Sequence, residues 1–158
     1  MSKIFLRITD ESGKNEIAFE GKDTTSQSFI LSADVQFRTI DELAANKSPN
    51  NMQTKVVITG ILHPDINEQL TQLKKWAFEF SGKSMYRKVN IRTVTQANDG
   101  TDVLEYTLDN MFVLSLEYFN SSDEGVNARN PQKNPQFVLT LVQQENSWKQ
   151  ILVNCTKQ

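Results

Sequence analysis

A single amphipathic helix set among strand-like runs restricts this chain to few architectures. Residues 65–80 place Ile66, Leu70, Leu73, Ala77 and Phe80 on one helical face, at the i, i+4, i+7 spacing of a 3.6-residue period. Asp65 and Glu68 open the helix as a D-x-x-E pair, a carboxylate version of the capping box that satisfies free N–H groups of the first turn. Trp76 lies one position off the apolar stripe, and packing into a core or an interface is its expected role.

Around the helix the period drops to two. Lys3–Thr9, Glu16–Glu20, Gln27–Thr39 and Thr54–Leu62 read as strands before it. Gln27–Thr39 is the clearest, with Phe29, Leu31, Ala33, Val35 and Phe37 expected on one face. Gly60 interrupts its strand and predicts a bulge or a close backbone approach. After a glycine turn at Gly82, Tyr86–Thr95 and Asp102–Leu108 form a hairpin across Asp99-Gly100. Met111–Phe119 follows the Asp109-Asn110 step, with Phe112, Leu114, Leu116 and Tyr118 on one face and Met111, Val113, Ser115 and Glu117 on the other. Gln136–Gln143 and Ser147–Asn154 are expected to close the chain as a terminal hairpin. The sum is mainly β: an antiparallel barrel or sandwich of about nine strands in one domain, 1–158, with the helix over an open end or flank. Two polar segments, Asp41–Gln53 and Asn120–Pro135, exceed ordinary connections, and loops of that length tend to make contacts.

Composition narrows the chemistry. Hydrophobic residues make up 38% of the chain, low for a globular protein, which suits a sheet with one wet face or burial completed by association. Seventeen basic residues face nineteen acidic ones without a basic run, so there is no electrostatic footprint for nucleic acid. The one cysteine, Cys155, rules out an intrachain disulfide framework and reads as a small buried or edge residue. No apolar stretch approaches the roughly 20 residues of a membrane span, and the N-terminus lacks the apolar core of a signal peptide.

No catalytic or metal motif emerges. Residues 98–102 look acidic enough for a calcium loop but lack its frame and its terminal glutamate, and a hairpin turn is the better reading. Gly82-Lys83-Ser84 follows a helix, whereas a phosphate loop precedes one. His63, the only histidine, stands at a strand-to-helix junction and is expected to make a local hydrogen bond. Asp34, His63 and Asp65 form the sole acid–base set a hydrolase could draw on. A monomeric β-barrel binding a ligand or peptide beside the helix is the other alternative to a structural role.

The element order resembles the tube-forming proteins of contractile injection systems, a group that includes the haemolysin-coregulated protein of type VI secretion and phage tail tube proteins. The resemblance is carried by Met1–Thr9 as opening strand, by Ala33–Ile40, and most by Tyr86–Tyr118, in which Tyr106-Thr107-Leu108-Asp109 is similar to the family's step into the next strand. Departures are an early loop without glycine-rich stretches and a longer helix.

The resemblance implies a non-enzymatic structural subunit without cofactors or metals. It would form hexameric rings by joining sheets across subunits, and the rings would stack into a hollow tube inside a sheath. Partners implied are further copies of the chain, sheath, spike or baseplate proteins, and cargo, with synthesis and assembly in the cytoplasm and export as part of a particle. The implied stacking contacts are Asp41, Asn46, Pro49 and Asn50 in the first long loop and Asn120, Asp123 and Pro131 in the second. Arg87, Lys88, Glu105, Ser115 and Glu117 are the candidates for a wet lumen face.

Overall fold

The computed structural model describes residues 2–19, 29–39, 52–79, 85–120, 135–144 and 152–157. Among the described residues there are eight strands and one α-helix: β1 (Ser2–Thr9), β2 (Glu16–Phe19), β3 (Ile30–Thr39), β4 (Met52–Ile61), α1 (Asn67–Ala77), β5 (Arg87–Ala97), β6 (Gly100–Phe119), β7 (Gln136–Gln143) and β8 (Leu152–Lys157). All pairings are antiparallel. The path β1-β3-β4-β7-β6-β5 returns to β1, which closes the sheet on itself, while β2 adds to β1 and β8 to β6. β1 and β5 pair over eight positions, and among the described residues β1 and β3 pair at Ile4 and Ile30.

Alternation decides what fills the ring. Leu6 and Ile8 of β1, Val56 and Ile58 of β4, Val89 and Ile91 of β5, and Phe137, Leu139 and Leu141 of β7 point inward and are essentially inaccessible to solvent. The helix plugs this barrel. Ile66, Leu73 and Trp76 join the same apolar cluster, and α1 packs against β6 and β2. The expected stripe is therefore correct for Ile66 and Leu73. Trp76 is core as well, its indole N–H donating to the Met85 carbonyl at 2.9 Å.

The helix starts differently from the D-x-x-E expectation. A 3₁₀ turn at Pro64–Ile66 comes first, and its cap is His63, whose Nδ1 accepts from the Asp65 backbone N–H at 3.1 Å. Proline at the first helical position suits that turn, because its missing N–H would have no partner there. The α-helix proper ends at Ala77, and Phe80 and Gly82, expected on its stripe and at its C-terminal turn, lie outside the described residues.

Three irregularities overturn strict period two. Leu31 lies at a bulge between the Ile30–Gly60 and Ser32–Thr59 pairs, so Ile30 turns inward and Leu31 stays exposed, while Ala33 and Val35 keep the core side. Asp109 and Asn110 do not break the strand. They kink it, with Asn110 in the left-handed region (φ 57°), and the two expected strands run as one of 20 residues. A third bulge at Leu114 exchanges the faces beyond it: Met111, Val113 and Leu116 pack inward, and Phe112, Ser115 and Glu117 face out.

The terminal hairpin is also corrected. β7 has β4 on one edge and β6 on the other, so β8 cannot pair with it. β8 pairs instead with residues 102–107 of β6. β7 and β8 thus follow one another along the edge of β6 opposite β5. Cys155, in β8, is exposed.

The close approach expected at Gly60 is real. A Cβ there would run into the ring of Phe137 and come within 3.0 Å of the Phe29 carbonyl oxygen. Phe137 is fully buried and Phe29 O is backbone, so neither yields cheaply. Gly60→Ala is expected to destabilise the fold by about 1–3 kcal/mol through overpacking. Urea unfolding of the two proteins side by side measures it, and an equal midpoint would refute the clash.

Candidate functional site

Five neighbouring strands, in the order β2-β1-β5-β6-β8, form one continuous sheet whose outer face is turned away from the core. Register aligns side chains across it in rows. Phe5, Arg92, Glu105 and Asn154 make one row, and Lys3, Val94, Val103 and Thr156 make the next. Between these rows lies an open concavity of about 600 Å³, lined by both and by Gln96 and Thr101.

The face is wet and unevenly charged. Lys3, Arg7, Lys88 and Arg92 stand on it with Glu16, Glu105 and Asp109 as counter-charges. Arg7 pairs with Glu16 at 2.7 Å, and Lys88 lies 3.6 Å from Asp109. Glu105 turns to Asn90, which donates to it at 2.8 Å and to Thr107 at 3.1 Å. Arg92 lays its guanidinium 5.1 Å from the centre of the Phe5 ring, a cation–π contact.

The expected lumen residues divide between places. Lys88 and Glu105 lie on this outer face. Ser115 and Glu117 face outward from the far half of β6, beside Thr140 and Val138 of β7. Arg87 departs from the expectation. It points inward and is only 8% exposed, its guanidinium 5.3 Å from the centre of the Trp76 ring. Alternation with buried Val89 and Ile91 puts it there, so it serves helix packing and not a wet surface. Of the expected stacking residues, Asn120 is exposed just past the end of β6. Asp41, Asn46, Pro49, Asn50, Asp123 and Pro131 lie outside the described residues.

The acid–base set assembles only in part: His63 Nδ1 lies 3.5 Å from the Asp65 carboxylate, while Asp34 stands apart. His63 is committed to the Asp65 N–H and rests 5.3 Å from the Phe29 ring. Asp34 pairs in register with Val57, roughly 20 Å of strand away from His63. Among the described residues no group of three or more His, Cys, Asp or Glu side chains is gathered to hold a metal, and no helix is long and apolar enough to cross a membrane.

One carboxylate is strongly perturbed. The β1–β2 turn folds around Asp10, which accepts from the Ser12 hydroxyl at 2.7 Å and from the Asn15 amide at 2.6 Å, while Gly13 takes a left-handed φ of 69°. The Ser12 hydrogen bond is the largest cause; desolvation opposes it, and the Asn15 hydrogen bonds and the positive charge of Arg87 add to it, so that the pKa falls from 3.8 to about 2. A depressed carboxylate stabilises the fold above its unfolded pKa, so this contribution is complete above 3.8 and disappears as pH falls through about 2. Carboxyl carbon NMR should show Asp10 titrating near 2, and Ser12→Ala should move the midpoint up towards 3.8.

The fold of this chain is similar to that of solved Hcp structures. A variant of Hcp1 from the E. coli EAEC 042 pathovar superposes with a TM-score of 0.56 at 9% identity, over 98% of both chains. Hcp1 from Salmonella typhimurium gives 0.53 at 13% identity, over 99% of this chain and 94% of its own. A further Hcp structure gives 0.56 at 8% identity, over 99% and 98%. No family model and no curated protein matches the chain. At these identities the likeness is one of fold.

Proposed function

We propose that this chain is a structural subunit that associates with copies of itself into rings, which stack into a hollow tube of a contractile injection or phage-tail-like particle. The observation that carries the reading is the Hcp fold, matched over nearly the full length of both chains. One feature of the sheet adds to it. β8 pairs only with β6 among the described residues, and all six of its residues are exposed, including Leu152 at 66% and Val153 at 55%. An open apolar strand edge is a liability that proteins cover, and a neighbouring subunit is one cover. The opposite edge, β2, is partly guarded by α1, whose Gln69 donates to the Ala18 carbonyl at 3.3 Å.

In this reading the ring holds six subunits and the loops around Asp41–Gln53 and Asn120–Pro135 make the contacts between rings. Lys88, Glu105, Ser115 and Glu117 belong to the wet surface that faces the channel. Sheath, spike or baseplate proteins surround the tube, cargo passes through it, and the chain itself performs no catalysis.

Light scattering with negative-stain imaging of the same peak tests the proposal. Ring-shaped particles of about six 18.0 kDa subunits are the expected result. A monomer at every concentration, with rings absent even beside a nucleating partner, would overturn it.

A further inference from the structure

The concavity on the outer face has a floor and a rim of different chemistry. Val94 and Val103 are direct cross-strand partners and form an apolar base, with Phe5 at its margin. Lys3 and Arg92 line it as well. Glu105, the residue directly across from Arg92, is turned to Asn90, and among the described residues no carboxylate pairs with the Arg92 guanidinium. The guanidinium lies over the ring of Phe5, 5.1 Å from its centre. Guanidinium N–H groups can meet a carboxylate in a bidentate fork.

We propose that this concavity binds an extended segment of a partner polypeptide in which a carboxylate side chain lies close to an aliphatic one. The carboxylate meets Arg92 with Lys3 beside it, and the aliphatic group rests on Val94 and Val103. A uniformly polar wall would let a passing chain slide, whereas this arrangement holds it. The site is complete within one subunit and does not depend on the tube reading. Inside a tube it would retain the passenger; on a monomer it would be the binding site itself.

The test is fluorescence anisotropy with a short fluorescein-labelled peptide alternating glutamate and leucine, titrated with the full chain. Saturable binding is expected, weakened about tenfold or more by Arg92→Glu, by Val103→Thr, and by exchanging the peptide's leucines for serine. Arg92 is exposed and threonine suits a strand, so circular dichroism should show both variants folded. No binding, or binding equally tight in both folded variants, would overturn the proposal, and so would equal affinity for a peptide with lysine in place of glutamate. Light scattering of the same samples reads assembly separately. A ring that ignores the peptide sinks this inference and leaves the tube reading intact, and a monomer that binds it does the reverse.

Discussion

Trp76→Ala is expected to lower the unfolding free energy by about 3–5 kcal/mol, the largest single effect of any side chain in the helix. The indole is 1% exposed and does three jobs at once. It fills the barrel interior, donates to the Met85 carbonyl, and lies against the guanidinium of Arg87. Arg87 is the reason truncation costs more than a cavity. Among the described residues the Glu79 carboxylate lies 3.9 Å from its guanidinium, and the aromatic face of Trp76 adds to what compensates its burial. Trp76→Phe keeps part of the bulk and a π face but strips Met85 of its donor, and about 1–3 kcal/mol is expected. Urea midpoints at low protein concentration separate the two, so that association does not mask them. A loss below about 1 kcal/mol for Trp76→Ala would mean that α1 covers the barrel without plugging it.

The second large effect concerns assembly. Replacing Leu152 and Val153 together with lysine should convert rings to a folded monomer of 18.0 kDa. Both side chains are already more than half exposed, so the change should alter the subunit's own stability by only about 0.5 kcal/mol. Two charges on a strand edge oppose pairing with another strand, the same device by which sheet proteins remain single. Light scattering and a thermal melt of the double variant decide the matter. Rings that persist at full mass would place the subunit joint elsewhere than β8.

The sequence and the structure agree where the signal is local. The helix stripe through Ile66 and Leu73 and the local hydrogen bond of His63 depend on near neighbours, and both were legible; the close approach at Gly60 was signalled by the glycine itself, though the Phe137 ring it meets lies far along the chain. What failed depends on partners distant in sequence. Leu31 and Leu114 continue an alternating pattern perfectly well on paper. Only the register against β4 and β7 makes each of them an extra residue and exchanges the faces around it. The same blindness hid the burial of Arg87, since a cation next to Lys88 at the head of a strand gives no hint that a tryptophan waits on the inner side. The destination of β8 was equally hidden. A short polar gap after Gln143 suggests a hairpin, but β7 has no free edge to offer. The wet outer face was legible in its polar alternation, while its concavity was not, because four separate strands build it.

β6 spans both parts of the molecule as one unbroken strand of 20 residues, fastened to β5 along one side and to β7 and then β8 along the other. Interstrand hydrogen bonds in antiparallel sheets lie across the strand direction. A force that pulls β8 along its length therefore reaches the barrel in shear, loading many bonds of the β6 ladders together instead of opening them one at a time. β8, lying off the closed path, is thus held to the barrel by a ladder loaded in shear and not by one that peels.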